Sequence, residues 1–162
     1  MLAYYANKCT TISAQVGMET FMMDKIKVLV VEDELQLSFL MVMVLTRIGC
    51  DVEAARTGKR AMELAAETKF DLITLDVELP DASGFSICTE LKERHISRNT
   101  PVIFISAKNC PSHIEEGKKR GAVDYIAKPF DVTEFIYRVV YYAKVKAGQT
   151  TNMGTEMGAI AT

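Results

Sequence analysis

A chain of 162 residues with 49% apolar side chains can bury the core of one domain, with spare length but no room for a second catalytic domain. Lys and Arg number 19 against 21 Asp and Glu, a net charge of −2, and no Arg/Lys block or zinc-ligand spacing interrupts the balance. That excludes the usual signatures of direct nucleic-acid reading. Cys9, Cys50, Cys88 and Cys110 form no CxxC pair, and no secretory signal is visible. The longest apolar stretch, Leu37 to Leu45, is broken by Ser38 and too short to span a bilayer, so reduced thiols in the cytoplasm are expected.

Residues 1 to about 24 carry no sustained periodicity and are expected to be a flexible extension; Met22 and Met23, just before the first apolar run, are alternative translation starts. From there the pattern alternates strand and helix five times. Strands are expected at Lys27–Val31, Asp51–Ala55, Asp71–Leu75, Pro101–Ile105 and Ala122–Ile126, with helices over roughly 35–48, 58–67, 84–95, 112–120 and 131–146. Most of the strands are continuous apolar runs, the mark of a parallel sheet covered on both faces. Right-handed crossovers then give an α/β, doubly wound sheet. Gly49 and Gly121 punctuate the first and fourth helices, and Ser112 with Glu115 fits a capping box. The Gly- and Thr-rich stretch 147–162 is expected to be a flexible tail.

The chemistry sits where the strands end. Glu32 and Asp33 close the first strand, Asp76 the third, Ser106 the fourth and Lys128 the fifth, with sequence separations of 43, 30 and 22 from Asp33 to Asp76, on to Ser106 and on to Lys128. Doubly wound sheets bind ligands outside the carboxyl ends of their strands, so these residues belong to one site despite their separation. Three carboxylates, a hydroxyl and a lysine suit a hard cation and a phosphoryl group.

Four segments, Val-Val-Glu32-Asp33-Glu, Leu75-Asp76-Val77-Glu78-Leu79-Pro80-Asp81-Ala82-Ser83-Gly84, Ile105-Ser106-Ala107 and Asp124-Tyr125-Ile126-Ala127-Lys128-Pro129-Phe130, carry a resemblance. Over about residues 25 to 146 the chain resembles a response-regulator receiver domain of two-component signalling, of the stand-alone CheY-like kind. The resemblance implies a flavodoxin-like sheet of five strands in the order 2-1-3-4-5. It implies that Asp76 accepts phosphate as an acyl phosphate from a histidine kinase or a histidine phosphotransfer protein. Mg2+ would be held by Asp33, Asp76 and the Glu78 backbone carbonyl, with Glu32 acting through water or from behind. Lys128 would pair with phosphoryl oxygens, its bond to Pro129 being cis, while Ser106 would donate its hydroxyl and Tyr125 would change between exposed and buried positions. Glu78 and Lys108 stand where such domains tune the lifetime of the phosphate, and an acid and a base there can pair across the mouth.

The same resemblance places histidine-bearing partners against the first helix. There Phe39, Val42 and Met43 form a second apolar face beside the stripe Leu37, Leu40, Met41, Val44, Leu45 and Ile48. The last helix turns Phe135, Val139 and Tyr142 inward and is expected to leave Ile136, Tyr137, Val140 and Tyr141 largely outside. Helices apolar all round need cover, from a partner, a second copy, or the segment holding Phe21, Met22 and Met23. Asp124, Glu134 and Arg138 match dimer salt-bridge positions of OmpR-type receivers, with Ile114 replacing the usual base, so a homodimer is one option. No helix-turn-helix or catalytic segment follows residue 146. The expectation is a stand-alone receiver that signals by phosphorylation-dependent binding of a downstream protein, without direct nucleic-acid or membrane contact.

Two other readings compete. A Mg2+-dependent aspartyl-phosphate phosphatase or phosphotransferase would need the second aspartate of Asp-x-Asp, and here Asp76-Val77-Glu78 lacks it. A phosphate-independent adaptor would not need the full set of acids, hydroxyl and lysine. The chain is therefore expected to catalyse only its own phosphorylation and dephosphorylation.

Overall fold

The computed structural model describes residues 25–94 and 97–146; the expected extension, its alternative starts and the tail lie outside those residues. In chain order the elements are β1 Lys27–Val31, α1 Leu35–Arg47, β2 Asp51–Ala55, α2 Gly58–Glu67, β3 Leu72–Leu75, α3 Gly84–Glu93, β4 Val102–Ser106, α4 Pro111–Lys119, β5 Asp124–Ala127 and α5 Val132–Lys146. The strands are all parallel and lie in the order β2-β1-β3-β4-β5, the doubly wound flavodoxin-like order expected.

Alternation along each strand explains why the apolar runs are continuous. Val28 and Val30 of β1 point into one core with Met41, Val44 and Leu45 of α1 and Phe135 and Val139 of α5. Leu29 and Val31 point into the other, with Ala61 and Leu64 of α2 and Ile87 and Leu91 of α3. A strand buried on both faces takes a polar residue before its end only where that residue finds an internal partner, as Thr74 of β3 does at the Leu29 carbonyl. Polar chemistry is thereby pushed to the strand termini, and the register aligns those termini. Val31 pairs with Leu75, Leu75 with Phe104 and Ser106 with Ala127. The residues that follow leave the sheet along one edge.

The strand and helix bounds shift by a residue or two from the sequence reading because ladder partners set them. Ser106, for example, belongs to β4 since it pairs with Ala127. The capping box at Ser112 and Glu115 does not form. Cys110 is the N-cap of α4 and Pro111 opens the helix, because a fixed φ and a missing N–H suit the first helical position. Ser112 then falls inside the first turn, and Glu115 pairs with Lys119 at 2.9 Å. Gly49 at φ 96° and Gly121 at φ 84° close α1 and α4 as expected.

The outer faces of α1 and α5 are narrower than expected. Val42 and Met43 are half-buried and lean on the core, which leaves Phe39, 65% exposed, and Leu35, 63% exposed, as the open apolar pair of α1. On α5, Ile136 is 3% exposed, so it is core and no part of an outer face. The buried stripe Val132, Phe135, Ile136, Val139 and Ala143 is simply wider than one residue per turn. Val140 packs against the same cluster, while Tyr137 and Tyr141 are half-buried and stack, ring centroids 6.3 Å apart. No helix among the described residues is long and apolar enough to cross a membrane.

Candidate functional site

Lys128, one residue past β5, reaches back under the edge of the sheet. Its Nζ lies 2.5 Å from Asp76 Oδ2 and 2.7 Å from Glu32 Oε2. Both acids are enclosed, with Asp76 6% and Glu32 1% exposed, whereas Asp33 is half-buried at the rim. One carboxylate oxygen from each of Glu32, Asp33 and Asp76 lies within 4.8 Å of the others. The first, third and fifth strands thus deliver their predicted residues to one point.

Main-chain hydrogen bonds hold the acids in place. Glu32 N–H extends the β1–β2 ladder to the Ala55 carbonyl at 3.0 Å, and Asp76 N–H bonds the Val31 carbonyl at 3.0 Å. Glu78 N–H donates to Asp76 Oδ1 at 3.1 Å, fixing the rotation of that carboxylate. The loop after Asp76 is closed by a Glu78–Ser83 bridge and by Gly84, where a Cβ would collide with the Asp76 carbonyl and stand 2.9 Å from Val77 Cα. Only glycine lets α3 begin so close to the acidic strand end. The bond between Lys128 and Pro129 is cis.

Electrostatics follow from burial against pairing. Burial pushes the Glu32 carboxyl above its ordinary value, with the Lys128 hydrogen bond and charge opposing it. Burial alone would depress the Lys128 ammonium, but bonds to Asp76 and Glu32 outweigh that and raise it. The ammonium, 2.7 Å from Glu32 Oε2, is the charge partner of that buried oxygen. Three carboxylates against one ammonium leave excess negative charge around it. Hard oxygens with unspent capacity and surplus charge fit Mg2+, which needs one or two carboxylates and keeps several waters.

Ser106 and Tyr125 meet at a residue that neither was expected to share. Ser106 is 1% exposed and its Oγ accepts the Lys108 N–H at 3.2 Å, while the Tyr125 hydroxyl donates to the Lys108 carbonyl. Tyr125 is half-buried with its ring against Phe104, centroids 6.0 Å apart. The Lys108 ammonium reaches Glu78 Oε1 at 2.7 Å, the predicted pair across the mouth. Asp124, Glu134 and Arg138 pair within the chain: Arg138 Nη1 lies 3.0 and 2.9 Å from the Asp124 oxygens, and Nη2 bonds Glu134.

Two residues of the site escaped the sequence reading as functional groups. Asp81 spans from the loop after Asp76 to the start of α2, accepting the Gly58 and Lys59 amides at 2.8 and 2.9 Å. The Lys59 and Gly58 amides hold its carboxyl below the usual range. Arg56 caps the other side, donating to the Asp33 carbonyl. Their signal was register across strands, which no single segment carries.

Comparison with known proteins agrees with this geometry. The sequence profile of the response regulator receiver domain matches residues 28–140. Response regulator ArlR of Staphylococcus saprophyticus is 37% identical over 113 residues, covering 70% of this chain and 50% of that protein. The chain spans about half the length of the curated relatives it matches. Among solved structures, the receiver domain of the Francisella response regulator 1452 aligns with a TM-score of 0.69 at 34% identity, over 74% of this chain and 97% of that one. The receiver domain of the sensor histidine kinase PA1611 from Pseudomonas aeruginosa, with a magnesium ion coordinated in its active site cleft, aligns with a TM-score of 0.68 at 26% identity, over 74% and 98% of the two chains. The fold is thus shared with these solved receiver domains, and this chain belongs to the response regulator receiver domain family of two-component signalling.

Proposed function

We propose that Asp76 is the phosphoacceptor of this receiver and that its donor is the phosphohistidine of a histidine kinase or a phosphotransfer protein, the partners with which receiver domains work. The observation that carries this reading is Lys128 Nζ at 2.5 Å from Asp76 Oδ2, both groups largely shielded from water. A carboxylate oxygen of Asp76 attacks phosphorus, the P–N bond breaks, and the imidazole nitrogen keeps the electron pair. Lys128 passes from the carboxylate to a phosphoryl oxygen and balances part of the added charge. Asp33, Asp76 and the Glu78 carbonyl, with Glu32 through water, would hold Mg2+, which when bound neutralises charge on the transferring oxygens.

The switch follows from the Lys108 contacts. Ser106 releases the Lys108 amide and donates its hydroxyl to the phosphoryl group, so the loop after β4 moves inward and Tyr125 loses its carbonyl anchor. The output is a change in affinity for a downstream protein, a population shift between two loop arrangements.

Acetyl phosphate with Mg2+ should add one hydroxylamine-labile phosphoryl group to the wild-type chain, detected by intact mass. EDTA should prevent it, and Asp76→Asn should not be labelled. Ser106→Ala should be labelled yet fail to shift partner affinity. Labelling of Asp76→Asn at the wild-type rate, or multiple turnover of small phosphate esters, overturns the assignment.

A further inference from the structure

Arg56 is the residue after β2, and the parallel ladder carries it beside the acids that end β1. Val31 stands opposite Ala55, and the Glu32 N–H to Ala55 carbonyl bond at 3.0 Å continues the pairing one residue further. From there the guanidinium turns onto the β1–α1 loop: Nε and Nη2 both donate to the Asp33 carbonyl, at 3.3 and 3.0 Å. Two donors of one rigid fork on a single oxygen fix the direction of that carbonyl better than one bond does.

The clamped peptide is held at its other end inside the site, where the Glu34 N–H donates to Glu32 Oε1 at 3.3 Å. Glu34 is the N-cap of α1 but supplies no side-chain cap, and the turn's own hydrogen bond runs from Ser38 N–H to the Glu34 carbonyl at 2.9 Å. The Asp33 carbonyl therefore lies one residue outside the helical ladder. Rotation of the peptide joining Asp33 to Glu34 would break the bond from the Glu34 N–H to Glu32 Oε1 and loosen the backbone that carries Asp33, the half-buried member of the oxygen cluster.

We propose that Arg56 is a positioning residue that sets the affinity of the site for Mg2+ by holding the backbone of Asp33. The inference rests on the reading of Glu32, Asp33 and Asp76 as a Mg2+ site. Two effects of Arg56 oppose one another: its clamp favours the cation, and its positive charge disfavours it. The guanidinium is exposed, so solvent and salt screen its charge, whereas a displaced ligand loses its bond to the metal outright. The clamp wins.

Isothermal titration of the metal-free chain with MgCl2 decides the sign. Arg56→Ala should raise the Kd about 3- to 10-fold, less than loss of a group bonded directly to a ligand side chain, because Arg56 acts on the ligand's backbone. Arg56→Lys keeps the charge and one donor and should fall between Ala and wild type. Melting in EDTA should be the same for all three. Equal or tighter binding by Arg56→Ala overturns the proposal, as does an Arg56→Lys that binds no better than Arg56→Ala. Asp33→Asn separates the two levels of inference. If it binds Mg2+ like wild type the metal assignment itself is wrong, and if it weakens binding while Arg56→Ala does not, only the role of Arg56 fails.

Discussion

The Lys108 ammonium lies 2.7 Å from Glu78 Oε1, which ties the loop after β4 to the loop after β3 across the opening above Asp76. Both side chains are largely in water, and such pairs contribute little to folding. We propose that their effect is on access, a pair across the opening hindering the approach of a hydrolytic water.

Lys108→Ala should therefore shorten the life of the Asp76 acyl phosphate by about 2- to 5-fold with no measurable change in Tm, since an exposed ion pair stabilises the fold weakly. Decay of phosphorylated protein after removal of the donor, followed by intact mass, reads this directly. An unchanged decay would show that water enters by another route.

Lys128 holds two buried carboxylates apart, and its loss should be felt in stability as well as chemistry. Lys128→Met should cost ~3 kcal/mol near neutral pH, the low end of the cost for removing one partner of a buried pair, because Lys128 keeps 16% of its side chain open to water. Glu32 gives this cost a pH dependence. Its carboxyl is already raised by burial from the ordinary value of 4.5, and without Lys128 it rises further. A raised folded-state value means that the penalty is absent below the ordinary value, grows as pH rises from there to the raised one, and is fully present above it. Urea unfolding should thus show the gap between wild type and variant narrowing as the pH is lowered from about 7 to about 5. A gap of constant size would mean that the loss comes from packing of the lysine stem.

Phe39 and Leu35, one turn apart on α1, remain the open apolar pair beside the acids. Phe39→Ser should slow phosphotransfer from the cognate phosphohistidine protein on the order of tenfold, as loss of a central aromatic contact does. Labelling by acetyl phosphate and the Tm should stay as in wild type, because Phe39 is 65% exposed. A fall in Tm instead would mark the patch as internal packing.

The sheet and its chemistry were legible from sequence for one shared reason. Strands such as Val28–Val31 are buried on both faces, so their ends are announced by the first polar residues, and those residues form the candidate site. What was missed depends on relations between segments. Arg56 gains meaning only once Val31 is known to face Ala55, and Asp81 only once the loop after β3 is known to pass the start of α2. Ile136 was placed outside because a stripe drawn at Phe135 and Val139 ignores the width of surface that a helix buries on a sheet. Ser112 and Glu115 fit a cap by spacing alone, but Pro111 is the stronger signal for a first helical residue and shifts the cap to Cys110.

Lys108 has all its polar handles engaged at once: its amide by Ser106, its carbonyl by Tyr125 and its ammonium by Glu78. Such a residue behaves as a latch with several catches. Freeing one catch without a phosphoryl group to take the Ser106 hydroxyl leaves the loop held by the others, so intermediate positions gain little, and the loop leaves when phosphate captures Ser106 and the remaining catches open with it. The response to phosphate should accordingly be all-or-none in each molecule, and a half-maximal signal should be a mixture of two populations with few molecules caught between them.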